Sequence, residues 1–491
     1  MEESSALQQD PLKRPLVVDL DGTLLKSDSL LEGICAVIRR RIWDGFRMPF
    51  WLLRGIPYFK EQIFARTDSD IERLPYHQEL LEALRQEQNQ GRTLILATGA
   101  HQDFAKKVAD FLGIFTEVYG SHQQINLTGS TKAADLVKRF GEKGFDYVGN
   151  SRVDIAVWKH AAAGWIMSDS RAFTKDVQKV LTLEREFKHG PPGIKVYAKA
   201  IRVHQWAKNG LIFLPTLLSH RYFDGFNWIL CLLAFVSFSA IASSVYLLND
   251  LLDIDADRRH PDNRRRPFAA GDLSILAGLG LAPLLLFFGL GIGLYISMSY
   301  FLVVLSYFGL TCLYSLRLKQ VVLADVVVLA MLYAWRVLAG GVATETIISQ
   351  WFLTFSLFFF LSLALLKRCS ELILMEQKQG QQNKRRGYLL ADLPLLQNFG
   401  IASGYLSVLV LALYLNDARV SAQLLHPEAL WALCPMLVYW LSRMWLKAYR
   451  GKMTTDPLVF ALRDRTSYFV VILTGVLWLI ARGLPFLTFR F

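Results

Sequence analysis

From about residue 200 onward the chain is divided into apolar segments separated by short charged stretches. Nine of them stand near 200–218, 227–248, 273–292, 296–315, 321–343, 350–371, 399–416, 428–446 and 467–486. Each is close to the ~20 residues that a helix needs to cross a bilayer core. Lipid offers no partner to an open backbone, so segments of this kind are constrained to a bundle of helices. The first is the least apolar, since it carries Arg202, His204 and Lys208. Residues 1 to about 190 show no such runs and read as a soluble, mixed sequence.

The formal net charge of +12 could suggest nucleic acid, but Lys and Arg form no continuous stripe with interleaved aromatics. They gather at the ends of apolar segments, as cytoplasmic loops facing anionic lipid headgroups do. Membrane lipids are therefore the expected partner, and nucleic acid is not. The loops after the second, fourth, sixth and eighth segments hold the excess, from Arg258 and Arg259 through Arg317, Lys378, Lys384, Arg385 and Arg386 to Lys447 and Arg450. The opposite loops hold little beyond Arg221 and Arg419. This asymmetry predicts a cytoplasmic N-terminus, and nine spans would leave Phe491 outside. The polar, acidic start MEESSALQQD shows no cleavable signal pattern. The five cysteines form no CxxC pair, so neither a disulfide framework nor a zinc site is expected.

In the soluble part, VVDLDGTLL (17–25) is a run of strand formers ending at two aspartates. A strand that stops at Asp19 presents its carboxylate at the edge where open α/β sheets place ligands, with Asp21 one loop step away. One carboxylate can attack phosphorus while the other manages the proton of the leaving oxygen, and a hard cation can join both to the substrate. This DxDGT stretch resembles the first motif of the haloacid dehalogenase (HAD) superfamily. LILATGA (94–100) matches its second motif at Thr98, GSTKAADLV its third at Lys132, and YVGNSRVDIAVW (147–158) its fourth. Asn150 stands where an acid is common, and Asp154 keeps the second acidic position. The resemblance implies an α/β Rossmann-like phosphatase fold, with Asp19 and Asp21 catalytic, Thr98 and Lys132 on the phosphate, and Asp19, Asp21, Asn150 and Asp154 around Mg²⁺. Residues 28–88, between the first two motifs, are helical in character and fall where that family inserts a substrate-selecting cap. Their Trp, Phe and Arg content suits either a bilayer interface or packing on their own domain.

NDLLDIDADRRHPDNRRRPFAAG (249–271) places five acids and five arginines at the end of an apolar segment, where ionisable groups are costly. At ~100° per residue, Asn249, Asp250, Asp253 and Asp257 share one helical face, and Asp255 points elsewhere. Carboxylates on one face repel unless a divalent cation sits among them, and Mg²⁺ completes its shell with water and phosphate oxygens. A Mg²⁺-diphosphate is the natural ligand, with the following arginines as bidentate partners. The NDxxDxxxD pattern, the spans and YSLRLK (314–319) resemble the UbiA superfamily of intramembrane prenyltransferases. Asp325 stands alone where that superfamily has a second aspartate motif. IRVHQWAKNGLIF (201–213), LALLKRCSELILM (363–375) and DPLVFALRDR (456–465) resemble its decaprenyl-phosphate phosphoribosyltransferase branch. That branch implies phosphoribosyl pyrophosphate as donor and polyprenyl phosphate as acceptor. It also implies catalytic Asp250, Asp253 and Asp257 with Asn249 on Mg²⁺, and phosphate contacts among Lys208, Arg258, Arg264, Arg266, Tyr314, Lys319 and Lys367.

The expected architecture is thus a HAD-like domain over 1–185 with a helical cap, a linker over 186–198 containing a Pro-Pro-Gly break, and an all-α UbiA-type bundle of nine transmembrane helices over 199–491. The expected activity is phosphoribosyl transfer to a lipid phosphate followed by removal of the 5-phosphate, at the cytoplasmic membrane. Two other readings fit parts of the sequence. One is a prenyltransferase acting on a small acceptor beside an independent phosphatase, and the other is a transporter with a regulatory phosphate-binding domain.

Overall fold

The computed structural model describes residues 14–122, 125–188, 190–219, 224–377, 387–417, 422, 424–453 and 456–483. The loop charges Arg221, Lys378, Lys384, Arg385, Arg386 and Arg419, the start of the chain and Phe491 lie outside them. The chain divides into two compact units, Met1–Val203 with Tyr246–Pro283, and His204–Val245 with Leu284–Phe491.

The first unit is built on a parallel sheet of six strands, β1 (Leu16–Val18), β2 (Leu94–His101), β3 (Glu117–Ser121), β4 (Asp146–Gly149), β5 (Ala163–Met167) and β6 (Thr182–Phe187), in the order β3-β2-β1-β4-β5-β6. The segment expected as linker therefore begins inside the last strand. Parallel neighbours need crossovers, and helices supply them. Successive strand residues face opposite ways. Leu16 and Val18 accordingly join one core layer with Leu84, Leu96 and Phe104, and Val17 joins the other with Ile95, Leu136 and Trp158. Val17 lies opposite both Ile95 and Tyr147, so β1 is the middle of the sheet. Strand order reverses direction at β1, and the crevice outside the strand ends at that point is where such sheets bind ligands.

Three helices, α1 (Ser29–Arg40), α2 (Ile42–Leu53) and α3 (Ile56–Phe64), form the cap around a small cluster of Val37, Trp51, Phe59 and Ile63. The next helix, α4 (Gln78–Asn89), lies within the expected cap region but packs Leu80, Leu81 and Leu84 into the main core. Residues 43, 46, 50 and 53 of α2 follow one helical stripe, and Trp43, Phe46, Phe50 and Leu53 are exposed.

The aspartate-rich stretch belongs to this same unit. The long helix Gly225–Leu252 ends just before Asp253 (φ −100°, ψ 12°), and a short helix Ile254–Arg259 follows. The single helix expected over 249–257 is thus broken at Asp253. The i to i+4 ladder nevertheless survives on one side, because Asp253 N donates to Asn249 O at 2.9 Å and Asp257 N to Asp253 O at 2.8 Å. Two features seat the stretch against the soluble fold. Arg258 forms a bidentate pair with Glu32 of α1, at 2.8 and 2.5 Å, with both side chains buried. Gly271, at φ +73°, lies so near Lys26 that a Cβ there would come within 2.7 Å of that residue's Cβ.

Seven helices among the described residues are long and apolar enough to cross a membrane: Gly225–Leu252, Ile275–Ile296, Met298–Leu316, Ala324–Ala343, Gln350–Leu374, Leu390–Leu415 and Pro427–Tyr449. A shorter apolar helix, Arg465–Ala481, stands where the ninth span is expected. The expected first span is instead a 3₁₀ stretch, Val203–Phe213, followed by Leu214–Leu218. Its polar groups explain why it is not a plain lipid-facing helix. Asn209 is buried and bonded to Ser239 and to Arg336, while Lys208 pairs with Asp456, all within the second unit. The core of that unit gathers Ala330, Phe360, Ala364, Leu441 and Trp445.

Removing one member of a buried ion pair strands the other without compensation. Glu32→Ala should therefore lower the stability of the full chain by roughly 3–5 kcal/mol, and adding Arg258→Met should restore most of it. Denaturant unfolding of both single variants and the double in detergent checks this cycle, and a double-variant loss equal to the sum of the two single losses would show that the two side chains are not coupled.

Candidate active sites

β1 stops where the chain needs Asp19, and Asp19 N donates to Val148 O at 3.0 Å, tying the loop to β4. The loop then turns through Gly22 at φ +73°. Only glycine fits there, since a Cβ would lie 2.1 Å from Asn150 Nδ2. The expected phosphatase residues thereby come together. Asp19, Asp21, Thr98, Lys132 and Asp154 line one cavity of about 220 Å³, and Asn150 joins Asp19 and Asp21 along a larger one of about 800 Å³.

Lys132, buried at the start of the helix Gly129–Phe140, donates to Asp19 Oδ1 at 2.8 Å and to the Tyr147 hydroxyl at 2.9 Å. Tyr147 in turn donates to Asp154 Oδ1 at 2.8 Å. The other oxygen of Asp154 accepts from Asn150 N, Ser151 N and the Ser151 hydroxyl. Asp154 therefore anchors both the Asn150 loop and Tyr147, and Tyr147 holds Lys132 against Asp19. Thr98 is fully buried, and its Oγ1 accepts from Ala100 N at 3.0 Å. Asp21 accepts from both the backbone and the hydroxyl of Ser29, at 2.9 and 3.0 Å.

Burial is the main influence on both aspartates. It pushes Asp19 up to about 6 against the opposing pull of Lys132, and pushes Asp21 up to about 7 with the help of Asp28. Two crowded carboxylates beside a carboxamide form the hard-oxygen set that Mg²⁺ takes. Asp19, Asp21 and Asn150 fit that ion in kind.

Two residues of this site are not singled out by the sequence, although Tyr147 opens the stretch that matches the fourth motif. Tyr147 belongs to a strand-forming run and looks like core. Lys60 comes from α3 of the cap, is buried, and donates to Gly99 O at 2.5 Å and Asn126 Oδ1 at 2.7 Å. Burial pushes its ammonium down from the ordinary lysine value. Nothing in the local sequence separates it from a surface lysine, and only the fold brings it to the phosphate cavity.

In the aspartate stretch, Asp250 and Asp257 are buried and turn toward each other through Arg266, whose Nη1 lies 3.2 Å from Asp250 Oδ1 and 2.7 Å from Asp257 Oδ2. Asp250 also accepts from Arg202, and Asp253 pairs with Arg39 of α1 at 2.9 Å. Asn249 precedes them on the same ladder. Asp257 is raised above the ordinary carboxylate value by burial, with Arg266 opposing and Asp250 and Asp253 adding to the rise. Among the described residues no three acidic, histidine or cysteine side chains stand close enough to hold an ion by themselves. A guanidinium nitrogen sits between two carboxylates, where a bridging cation would sit, and carboxylate oxygens are the kind of donor that Mg²⁺ takes. Of the expected arginines, Arg266 lies at the acids, Arg258 is committed to Glu32, and Arg264 is exposed.

In the second unit, Lys208 donates to Asp456 at 2.9 Å. Although burial pushes Asp456 upward, Lys208 and then Lys367 hold its carboxyl below the ordinary value. Asp325 is fully buried and receives Arg368 Nε at 2.6 Å and the Tyr388 hydroxyl, while Arg368 also reaches Glu371 at 2.6 Å and Tyr314 at 3.5 Å. Lys319 lies on the turn Leu318–Gln320. Arg368 and Asp456 are the residues that the sequence does not single out here. Arg336 is a third, a buried guanidinium over Phe238, Tyr307 and Tyr333.

Residues 213–462 match the UbiA prenyltransferase family, and residues 16–157 match the haloacid dehalogenase-like hydrolases. An uncharacterized protein of Sinorhizobium fredii, y4nM, is 36% identical over 465 residues, covering 93% of this chain and 89% of that protein. Nodulation protein NoeC of Azorhizobium caulinodans is 35% identical over 60% of this chain and 93% of its own length. Decaprenyl-phosphate phosphoribosyltransferase of Mycolicibacterium smegmatis is 35% identical over 38% of this chain and 61% of its own length.

The Tyr147 hydroxyl bonds two charged groups, Lys132 and Asp154, and losing the bond that holds Lys132 is worth about 1.5 kcal/mol or more, roughly tenfold in rate. Tyr147→Phe should therefore slow p-nitrophenyl phosphate hydrolysis by the full chain about tenfold. An unchanged rate would show that Lys132 keeps its place without the hydroxyl.

Proposed function

Because the chain belongs to the UbiA prenyltransferase family and carries a haloacid dehalogenase-like hydrolase domain ahead of it, we propose that it is an integral membrane enzyme of two steps. The first transfers 5-phosphoribose from phosphoribosyl pyrophosphate to a polyprenyl phosphate, and the second removes the 5-phosphate to leave polyprenyl-phosphoryl-ribose. The observation that carries the first step is the convergence of Asp250 and Asp257 on one positive nitrogen beside Asp253. The named phosphoribosyltransferase relative supports the donor. The charge pattern of the loops supports a cytoplasmic soluble domain.

In the transfer step an oxygen of the lipid phosphate attacks the anomeric carbon as the bond from that carbon to pyrophosphate breaks. Asn249, Asp250, Asp253 and Asp257 would hold Mg²⁺ at the leaving group, and Asp19, Asp21 and Asn150 would hold it in the phosphatase. When bound, the ion supplies positive charge against phosphate oxygens at either place. Arg266 is placed to exchange its carboxylate partners for pyrophosphate oxygens, which suit a guanidinium equally well. Lys208, Lys367 and Lys319 are the proposed phosphate contacts of the second unit, and the Arg368 hydrogen bond would orient Tyr314.

In the second step Asp19 attacks phosphorus and the bond to the ribose 5-oxygen breaks. Asp21 gives that oxygen its proton, since burial and Asp28 raise its carboxyl while Lys132 opposes the rise at Asp19. Water then attacks the aspartyl phosphate, with Asp21 taking the proton back, and inorganic phosphate leaves. Lys132 and Thr98 hold the phosphate in place, and Lys60 closes the cavity from the cap.

Reconstituted full chain, labelled phosphoribosyl pyrophosphate and a polyprenyl phosphate test both steps. Asp253→Asn should cut lipid labelling by roughly 100-fold or more. Asp19→Asn should leave labelling intact and let the 5-phosphorylated lipid accumulate. Labelling from a prenyl diphosphate and a small aromatic acceptor, with none from phosphoribosyl pyrophosphate, would select prenyl transfer and end the proposal.

A further inference from the structure

The larger cavity beside Asp19 has two kinds of wall. Its polar lining includes Asp19, Asp21, Asn150 and Ser27, and the buried hydroxyl of Ser27 has no hydrogen-bond partner among the described residues. The lining also includes the apolar residues Phe268, Leu273, Ile275 and Leu276, beside Leu31, Met167 and Phe173. Phe268 belongs to the end of the aspartate stretch and Leu273, Ile275 and Leu276 follow it, so these four lie outside the HAD-like match. The seat of Gly271 against Lys26 and Pro75, and the pair Arg258–Glu32, fix that segment in place.

About 800 Å³ is far more than a phosphate group needs, and lies within the range of sites that enclose a whole small ligand. The apolar wall does not end in the cavity. Ile275 and Leu276 open the helix Ile275–Ile296, one of those apolar enough to cross a membrane, and only 22% of its most apolar stretch is buried within the protein. Leu276 is 65% exposed, and Leu279, one turn on, is exposed as well. A path of apolar surface thus leads from the phosphatase carboxylates onto a helix suited to lipid.

We propose that Phe268–Leu276 forms a hydrocarbon-reading subsite of the phosphatase, so that its substrate is an amphiphilic phosphomonoester. The phosphate sits at Asp19 and the hydrocarbon runs out along Leu276 and Leu279. This deepens the two-step reading and rests on the first half being a phosphatase. The reaction is hydrolysis, in which the phosphorus–oxygen bond of the ester breaks, the alcohol takes the proton from Asp21, and water supplies the oxygen of the released phosphate. The wall selects by burying methylenes, each worth about 0.8 kcal/mol, so that two of them give roughly tenfold in affinity.

The test uses the full chain in phosphatidylcholine nanodiscs with straight-chain alkyl phosphates from ethyl to dodecyl. The readout is the ratio of kcat/KM for the dodecyl and ethyl esters. The native chain should favour dodecyl by tenfold or more, and Leu276→Gln should bring the ratio down severalfold, whereas Leu276→Phe should keep it. Partition of the ester into the disc acts equally on native and variant chains, so the change in ratio isolates the wall. Because the ratio cancels a general loss of activity, it remains informative in a weakened variant, and Leu276→Ala gives the same reading should the glutamine variant be inactive. A flat native profile, a ratio that ignores position 276, or no hydrolysis of any ester would each overturn the proposal. A steep native profile that Leu276→Gln flattens, together with no turnover of polyprenyl-phosphoryl-ribose 5-phosphate, would keep the subsite and reject the two-step reading.

Discussion

Neutralising carboxylates at the end of a membrane helix is the constraint that shapes this molecule. Asp250, Asp253 and Asp257 follow a run of apolar residues, and each is met by a guanidinium: Arg202 and Arg266 at Asp250, Arg39 at Asp253, and Arg266 again at Asp257. Charges so placed are costly unless paired. Arg39 comes from the cap, so the pairing also joins the soluble fold to the stretch that leaves the membrane helix. The paired aspartates thus serve as a seat for the domain ahead of them.

The phosphatase cluster obeys the same economy of charge by a different route. Its carboxylates meet one ammonium, Lys132, fixed by a tyrosine that is itself fixed by Asp154. This chain explains how a site with Asn150 in place of an acid keeps its geometry. The loop bearing Asn150 hangs from Asp154 by three hydrogen bonds and does not depend on a charge of its own.

Much of this is legible in the sequence where spacing alone dictates the outcome. A strand former run ending in DxDGT places Asp19 at the sheet edge, and apolar segments of bilayer length become helices. What the sequence hides are contacts between remote positions. Lys60 reaches the phosphate cavity only because α3 flanks the same crevice, Tyr147 of β4 touches the site through Lys132 and Asp154, and Arg258 looks like a phosphate ligand until Glu32, 226 residues earlier, claims it. The stretch at 200–218 misleads because hydropathy counts its Leu, Ile and Phe without registering that Lys208 and Asn209 are held inside the protein by Asp456, Ser239 and Arg336.

The seating of Gly271 against Lys26 bears on how the protein can be divided. A fragment cut at the glycine-containing break near residue 193 would look, by sequence, like a complete soluble domain. It would leave behind Arg258 and the Phe268–Leu276 segment, exposing an unpaired Glu32 and a flank of the catalytic hollow that the intact chain closes. Such a fragment would lack part of the lining of the cavity beside Asp19 and the partner of Glu32, so its behaviour would describe the cut more than the intact chain.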